Sequence, residues 1–283
     1  PDSILHRSHY EPPNPKGEIL HDQARFWGRQ GVHYHQFLEP GENTLNLKTV
    51  RLLIDSLNER GGYDADDYLR RYIDFMTAPD SHRDTYVEEY HRAFFTRYAN
   101  GHDPHDCGVE EKHIGGLVGI PPIVGFYRDD PNRGRQAALE HMHLTHRGES
   151  MDDAATLLIG LLYDLLSGAP LVETLERRID RQDSRFLGHP YRDWLGMPDE
   201  WVLGREVSIA CYLDHAMPAV IYLALKYADD PEGALVTNTN VGGDNCYRGA
   251  VLGALLGAAH GEDGFPGRWV SGLKEGYGID FRR

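Results

Sequence analysis

The sequence predicts an all-α fold, and three observations support this. Apolar residues recur every three or four positions along most of the chain, which is the period of a half-buried helix. No stretch shows the alternation of apolar and polar residues that is typical of strands. Glycine or proline stands at the end of most periodic stretches, where helices usually stop. The 283 residues are enough for one large domain or two small ones. Since no repeat of fixed period is present, we expect a single domain over residues 1–283.

The first long helix is predicted to begin at Leu45 and to stop at Gly61 and Gly62. Its apolar stripe consists of Leu47, Val50, Leu53, Ile54 and Leu57. Further helices are predicted at 64–79, 84–101, 132–150, 151–168, 169–182, 215–230 and 231–240, with short helices near 22–28 and 269–276. Loops are expected mainly at 1–46, 100–132, 183–205 and 237–245.

The charge balance limits the classes of partner. Acidic residues outnumber basic ones by 44 to 29, which gives a formal net charge of −15. A field of this sign repels nucleic acid and anionic membranes, so we expect neither as a partner. A small ligand with phosphate groups is still possible, because a helix N-terminus can bind an anion locally.

Cysteine usage and hydropathy predict a cytoplasmic protein. Cys107, Cys211 and Cys246 are widely spaced, so they form neither a disulfide framework nor a C-x-x-C zinc pair. A reducing compartment is the usual setting for such a chain. The longest apolar run, around residues 249–259, is too short to span a bilayer, and we find no signal peptide.

The stretch "GGDNCYRGAVLGALLGAAHG" places glycine at every fourth position, at Gly249, Gly253, Gly257 and Gly261. Each interior glycine costs a helix about 1 kcal/mol relative to alanine. We therefore interpret this segment as a buried central helix in which the glycines permit close packing. The Gly-Gly-Asp turn before it would present backbone N–H groups and one carboxylate to the same pocket.

A second polar segment, "EPGENTLN", also stands directly before a helix. Its side chains and that of Asp244 carry the oxygen ligands that hard cations prefer. They could bind the same ion only if the two helix starts meet in space. The candidate metal ligands are therefore Glu42, Asn43, Thr44 and Asp244. The alternative for Asn43 or Thr44 is an ordinary N-cap of the following helix.

Four segments in order along the chain resemble the ADP-ribosylglycohydrolase family. "NTNVGGDNCYRGAVLGALLGAAHG" resembles its C-terminal G-G-D-T-D-T signature and the small-residue helix after it. "GENTLN" stands where the family has T-D-D-T. "HLTHRGESMDDAATLLIGLL" and "DHAMPAVIYLALKYADDPEGAL" are similar to its internal Thr-His segment and to the helix pair before the signature. The resemblance covers roughly residue 30 to the C-terminus.

The resemblance implies one compact multi-helix domain with a central cleft. It also implies two magnesium ions between the acidic segments and hydrolysis of the glycosidic bond at the ribose of an ADP-ribosyl group. Such cleavage passes through an oxocarbenium-like state and needs a positioned water. The partner would be an ADP-ribose-like small molecule or an ADP-ribosylated substrate, and no organic cofactor is implied.

This sequence departs from the family pattern at the metal ligands. Glu42 and Asn43 replace two aspartates of the first segment, and Cys246 replaces the second aspartate of the signature. Because magnesium prefers hard oxygen ligands, we expect one weak magnesium site or none. The family's N-terminal G-D-A-L-G-like segment is also absent, as if the chain began inside the domain.

Two of these residues, Glu42 and Asp244, are the catalytic candidates. The candidates for substrate binding are Asn43, His146, Gly242, Gly243, Cys246 and Arg248. His146 matches the family's histidine near the ligand, or else is a buried residue that holds a loop. For Cys246 the alternatives are a nucleophile and a packed small residue. For Arg248 they are a contact with a phosphate of the substrate and an ion pair with Glu42. The pair His33 and His35 could bind a softer metal or be ordinary surface histidines.

Two functions remain open from the sequence. The first is a hydrolase of ADP-ribosyl or related ribosyl bonds with an altered or single metal site. The second is a catalytically silent relative that binds a nucleotide or has a structural role, as lens-crystallin relatives of the family suggest. Convergence of Glu42 and Asp244 around a cation would favour the enzyme. Arg248 or Tyr247 in that space would favour the silent relative.

Overall fold

The computed structural model describes residues 37–84 and 87–274, and helices dominate this part of the chain, which confirms the all-α prediction. The α-helices are α1 (Leu45–Arg60), α2 (Ala65–Thr77), α3 (Glu89–Ala99), α4 (Ile120–Phe126), α5 (Pro131–His143), α6 (Glu149–Leu166), α7 (Leu171–Arg181), α8 (Tyr191–Trp194), α9 (Asp199–Val202), α10 (Leu213–Lys226), α11 (Pro231–Asn240), α12 (Asn245–His260) and α13 (Gly267–Ser271). Strands β1 (Val109–Glu110) and β2 (His146–Arg147) form one short parallel pair. Short 3-10 helices lie at Pro104–Asp106, Ile114–Leu117, Arg185–Leu187 and Glu262–Gly264.

The described residues fall into two compact units. The N-terminal unit comprises 37–84, 87–112, 116–159 and 271–274, and the C-terminal unit comprises 113–115 and 160–270. The division falls inside α6. The prediction of a single domain is not tested by this division and stays a prediction.

Helix α1 begins and ends close to where the sequence predicted. Gly61 adopts a left-handed conformation with φ 68° and donates its N–H to the Leu57 carbonyl, which ends the helix. The buried face is rotated slightly from the predicted stripe. Leu53 and Leu57 are buried as expected, but the other buried residues are Leu45, Asn46, Thr49 and Ser56. In the N-terminal unit, α1 packs on α2 and α4, and α4 packs on α5.

Helix α10 is the most buried helix of the C-terminal unit. Every residue from Ala216 to Leu225 is buried, and α10 contacts α7, α11 and α12. The glycine-rich α12 is buried along one face only. The buried residues of this face are Tyr247, Arg248, Val251, Leu252, Leu255 and Leu256. The prediction that the glycine-rich helix is the buried central helix is therefore wrong, because α10 is the more deeply buried helix of the unit.

Close packing explains only one of the interior glycines of α12. A Cβ at Gly249 would lie 2.9 Å from Nδ2 of Asn238, whereas a Cβ at Gly253 or Gly257 would meet its nearest atom at 3.9 or 3.7 Å. These longer distances are ordinary van der Waals contacts. Gly261 has φ 71° at the end of the helix, where glycine is favoured for its backbone conformation.

Some predicted loops contain short helices. Helix α4 lies within the predicted loop at 100–132, and α8 and α9 lie within that at 183–205. The helix predicted at 84–101 starts later, at Glu89. The short helix predicted near 22–28 lies outside the described residues. Within the part that the structure describes, no helix is long and apolar enough to cross a membrane.

Candidate functional site

The Gly-Gly-Asp turn connects α11 to α12 in the C-terminal unit. Gly242 and Gly243 have φ values of 75° and 69°, a backbone region that side-chain-bearing residues rarely adopt. A Cβ at Gly243 would also lie 2.1 Å from the Ile209 carbonyl oxygen. The N–H of Asp244 donates to that same oxygen at 3.1 Å. The two glycines therefore let the chain pass close to Ile209 and place Asp244 at the N-terminus of α12.

Arg248 holds this turn from inside the unit. Its side chain is fully buried, and its Nε donates to Oδ1 of Asn238 at 2.6 Å. Nη2 donates to the carbonyls of Asn238 and Gly242 at 3.1 and 2.8 Å, and Nη1 donates to that of Ile209 at 3.4 Å. Burial lowers the pKa of Arg248 to about 10, which leaves it charged at neutral pH. These bonds favour a structural role over the predicted substrate contact, which would require several of them to break.

Asp244 lies beside a histidine and a cysteine. Nε2 of His113 is 3.6 Å from Oδ2 of Asp244, and ligand atoms of His113, Cys211 and Asp244 all lie within 4.8 Å of one another. Burial lowers the pKa of His113 to about 4, so the imidazole is neutral at pH 7. The N–H of Gly115 donates to Nδ1 of His113 at 3.0 Å. The proton of the neutral ring is therefore assigned to Nε2, which faces the carboxylate.

The two residues that replace the end of the family signature have different surroundings. Tyr247 is buried, and its ring packs edge-on against that of His113 with centroids 4.9 Å apart. Cys246 is partly exposed. Asn245 donates through Nδ2 to the carbonyl of Thr239 at 2.9 Å, which ties the start of α12 to the end of α11.

The Glu42 segment lies in the N-terminal unit and is paired with two cations. The guanidinium of Arg83 forms a short ion pair with the Glu42 carboxylate through Nη2, and its Nε lies 3.4 Å from Oε1. Nζ of Lys48 is 3.6 Å from Oε1, and the Glu42 side chain is only 10% exposed. Two side-chain cations of the same unit thus balance this carboxylate. The bonds of Arg248 described above go to other groups, so the predicted pairing of Arg248 with Glu42 has no support.

The cap of α1 differs from the prediction. Thr44 is the N-cap residue by position, but its side chain makes no capping hydrogen bond. Instead, Oδ2 of Asp84 accepts a short hydrogen bond from the N–H of Leu45, which satisfies one of the open donors of the first turn. Asn43 precedes the cap and is partly exposed, as is Thr44.

His146 is a buried residue of β2 in the N-terminal unit. Its Nδ1 lies 2.8 Å from Oγ1 of Thr145, and its ring packs on Tyr90 with centroids 4.3 Å apart. A Cβ at Gly116 would lie 2.7 Å from its Cγ. These contacts agree with the interpretation of a histidine that holds a loop, and its predicted place near a ligand stays a prediction. His33 and His35 lie outside the described residues.

The residues around the two acidic segments do not suit the magnesium pair that the resemblance implies. Magnesium needs several oxygen ligands in near-octahedral geometry. Glu42 is already balanced by Arg83 and Lys48. Asp244 lies beside a nitrogen and a sulfur donor, which are softer ligands. The reaction proposed for this protein therefore uses no magnesium ion. The expectation of one weak magnesium site or none stays a prediction.

Sequence reasoning missed the residues that surround the two carboxylates. His113, Cys211, Arg83, Lys48 and Asp84 all contribute, yet none stands in a recognisable motif with Asp244 or Glu42. The one available signal was their position: His113 lies inside the predicted loop at 100–132, and Cys211 lies shortly after the predicted loop at 183–205. This signal is too weak to pair them. His113 and Cys211 come together through backbone bonds between distant segments, whereas Arg83, Lys48 and Asp84 contact the Glu42 segment through their side chains.

Comparisons with known proteins give consistent results. A family model described as ADP-ribosylglycohydrolase matches residues 4–282. The curated ADP-ribosyl-[dinitrogen reductase] glycohydrolase of Rhodospirillum rubrum is 28% identical over 139 residues, which are 49% of this chain; the chain spans 41% of that relative's length. A solved ADP-ribosylglycohydrolase-related protein complex is similar with a TM-score of 0.67 and 26% identity, over 94% of this chain and 86% of that one.

Proposed function

Because this chain belongs to the ADP-ribosylglycohydrolase family, we propose that it hydrolyses the glycosidic bond at the ribose of an ADP-ribosyl or related ribosyl substrate. The observation that carries this proposal is the position of Asp244. The turn of Gly242 and Gly243 and the bonds to Ile209 fix its backbone, while its side chain keeps 18% of its surface exposed. A carboxylate that is held firmly and still reachable is suited to act on a water molecule.

The proposed reaction needs few groups from the protein. Water adds to the anomeric carbon as the glycosidic bond breaks, and the electron pair of that bond leaves with the acceptor. Asp244 orients the water, takes its proton and can return that proton to the acceptor. The neutral imidazole of His113, with its proton on Nε2, lies beside the carboxylate at 3.6 Å.

The substrate contacts are proposed from the same turn. The N-terminus of α12 and the glycine backbone before it suit an anionic pyrophosphate, and we assign Gly242, Gly243 and Cys246 to this region. Asn43 and His146 stay candidate substrate contacts in the N-terminal unit. Glu42 stays a catalytic candidate, but its pairing with Arg83 and Lys48 makes it a poorer base than Asp244.

A catalytically silent relative is the second candidate function. The observation that favours it is the same pairing of Glu42, because a carboxylate balanced by two cations is less available to a metal or a water. Such a protein would bind ADP-ribose or a related nucleotide without cleaving it, or would serve a structural role. A cytoplasmic setting, with neither nucleic acid nor membrane as partner, stays a prediction of the sequence.

One experiment separates these functions. The protein is incubated with ADP-ribosylated arginine and serine peptides, with and without magnesium, and free ADP-ribose is measured by mass spectrometry. In parallel, ADP-ribose is titrated into the protein by calorimetry. Release that is lost in the Asp244→Asn variant supports the hydrolase. Binding without release supports the silent relative. The absence of both release and binding heat would contradict hydrolysis and nucleotide binding alike.

A further inference from the structure

We propose that His113, Cys211 and Asp244 form a binding site for one zinc-like transition-metal ion. The three side chains belong to the C-terminal unit, and their ligand atoms lie within 4.8 Å of one another. Imidazole nitrogen, thiolate sulfur and carboxylate oxygen are the three ligand types that zinc binds in proteins. The inference concerns metal binding itself and does not depend on the proposed hydrolysis, in which Asp244 acts as a base only while no ion is bound to it.

The backbone explains why these three residues meet. His113 and Tyr212 form an antiparallel bridge, and the N–H of Ile114 donates to the Cys211 carbonyl at 2.9 Å. The carbonyl oxygen of the nearby Ile209 accepts a hydrogen bond from the N–H of Asp244 at 3.1 Å. One segment, 209–212, is thus bonded to the backbone of the other two ligand-bearing segments. The ligands are held in place by the fold and do not depend on a flexible loop.

The distance between His113 and Asp244 is informative. Their Nε2 and Oδ2 atoms are 3.6 Å apart, which is too long for a direct hydrogen bond. Two ligand atoms that each lie about 2.0–2.2 Å from a tetrahedral zinc ion are roughly 3.4 Å from each other. The separation therefore fits a pair of ligands on one ion better than it fits a direct contact.

The ligand set also predicts which ion binds. A thiolate ligand selects zinc, and also cobalt as its spectroscopic substitute, over magnesium. The side chains of His113 and Asp244 are 16% and 18% exposed, and Cys211 is partly exposed, so none of the three ligand residues is fully buried. Three protein ligands leave the fourth tetrahedral position for a water molecule or a small ligand.

Metal binding must rearrange protons at two ligands. The thiol of Cys211 gives its proton to solvent when sulfur binds the ion. The ring proton of His113 moves from Nε2 to Nδ1, so the hydrogen bond from the Gly115 N–H is lost. The net release is one proton for each ion bound. The positive charge of Arg248, which acts on Asp244, opposes the ion, but the thiolate and the carboxylate together outweigh it.

Cobalt binding to the untagged, metal-free full chain tests this proposal. We expect one cobalt ion per chain, with the near-ultraviolet absorption of thiolate-to-cobalt charge transfer and the visible bands of a tetrahedral site. Zinc should displace the cobalt, whereas an equal concentration of magnesium should not. The Cys211→Ser variant should lose the charge-transfer band, and its cobalt affinity should fall by about 100-fold or more, a larger effect than changes outside the ligand shell produce.

The matched control is Cys246→Ser, which removes the other partly exposed thiol of the same unit and should keep the band. No band in the unchanged protein, or a band that survives in Cys211→Ser, would overturn the proposal. If Cys211→Ser does not fold, X-ray absorption of the zinc-loaded unchanged protein decides. One sulfur ligand among nitrogen and oxygen ligands supports the site, and a shell without sulfur refutes it. None of these measurements uses substrate, so a failure of hydrolysis leaves them interpretable.

Discussion

Glu42 and Asp244 are both predicted as catalytic carboxylates, yet they have opposite surroundings. In the N-terminal unit, Arg83 and Lys48 balance the charge of Glu42. In the C-terminal unit, the hydrogen bonds of Arg248 go to Asn238 and to backbone carbonyls of the turn before α12. The groups beside the Asp244 carboxylate are the imidazole of His113 and the thiol of Cys211. One carboxylate already has its cations, and the other can receive one. The type of a residue in a motif therefore does not define its role without its neighbours.

The largest expected effect tests whether Arg248 is structural. The Arg248→Met variant removes a guanidinium that bonds to Asn238, Ile209 and Gly242. Because it leaves buried carbonyl groups without donors, we expect the free energy of unfolding to fall by about 3–4 kcal/mol. Urea denaturation at pH 7 measures this. The control is Arg268→Met, at an arginine with 65% of its side chain exposed, which should change stability by less than about 0.5 kcal/mol. An unchanged stability of Arg248→Met would return Arg248 to the substrate-binding candidates.

The next prediction compares the two carboxylates directly. Asp244→Asn should lower the rate of ADP-ribose release by about 100-fold or more, as expected for the loss of a general base. Glu42→Gln should lower it by less than about tenfold, because the Glu42 carboxylate is balanced by neighbouring cations. Initial rates by mass spectrometry, with melting curves to verify folding, measure both. Equal losses in the two variants would show that the surroundings do not separate their roles.

Asp67 provides a fully paired carboxylate with which Glu42 can be compared. Its buried side chain accepts hydrogen bonds from Arg60, Arg70 and Arg71 at 2.8, 2.6 and 2.6 Å. Burial alone would raise its pKa, but these bonds and one from Ser56 outweigh burial and hold the pKa well below 3.8.

Because the pKa of Asp67 is lowered on folding, the stabilisation is fully present above its ordinary pKa and is lost as the pH falls below about 4. We expect Asp67→Asn to lower the free energy of unfolding by about 2–3 kcal/mol at pH 7, with a smaller loss at pH 3. Denaturation at the two pH values measures this. Asp66→Asn, at a neighbour with 89% of its side chain exposed, is the control. A loss that is the same at both pH values would contradict the electrostatic explanation.

The smallest expected effect concerns the glycines of α12. Gly253→Ala adds a methyl group whose nearest neighbour is 3.9 Å away, so the gain in helix propensity should stabilise the protein by about 0.5–1 kcal/mol. Gly249→Ala should destabilise it, because its Cβ would press on Asn238, which Arg248 and Asn245 hold in place. Melting temperatures of the two variants measure the difference. Two changes of the same sign would contradict the different packing at these positions.

The sequence predicted the helices well where local periodicity determines them. Helices α1, α2, α7 and α11 lie close to their predicted positions because their apolar spacing, caps and glycine or proline ends are all local signals. Helix α4 was missed because two prolines in its first turn, Pro121 and Pro122, resemble a loop. Proline is in fact compatible with the first turn, since those N–H groups have no partner in the helix.

The candidate site was only partly predictable for a different reason. The turn around Gly243 and Asp244 is visible in the motif, because it depends on residues that are adjacent in the chain. Arg83 beside Glu42, and His113 beside Asp244, come from distant segments whose approach is set by tertiary packing. Spacing along a single chain contains no signal for such contacts.

The pairing of Glu42 has a consequence for how this sequence could change over evolutionary time. Replacing Glu42 by the aspartate found in the family pattern would not by itself create a place for a divalent ion, because Arg83 and Lys48 would still be present. Removing either cation first would leave a largely buried carboxylate with less of its compensating charge. The three positions are therefore epistatic, because the effect of a substitution at Glu42 depends on whether Arg83 and Lys48 are still present.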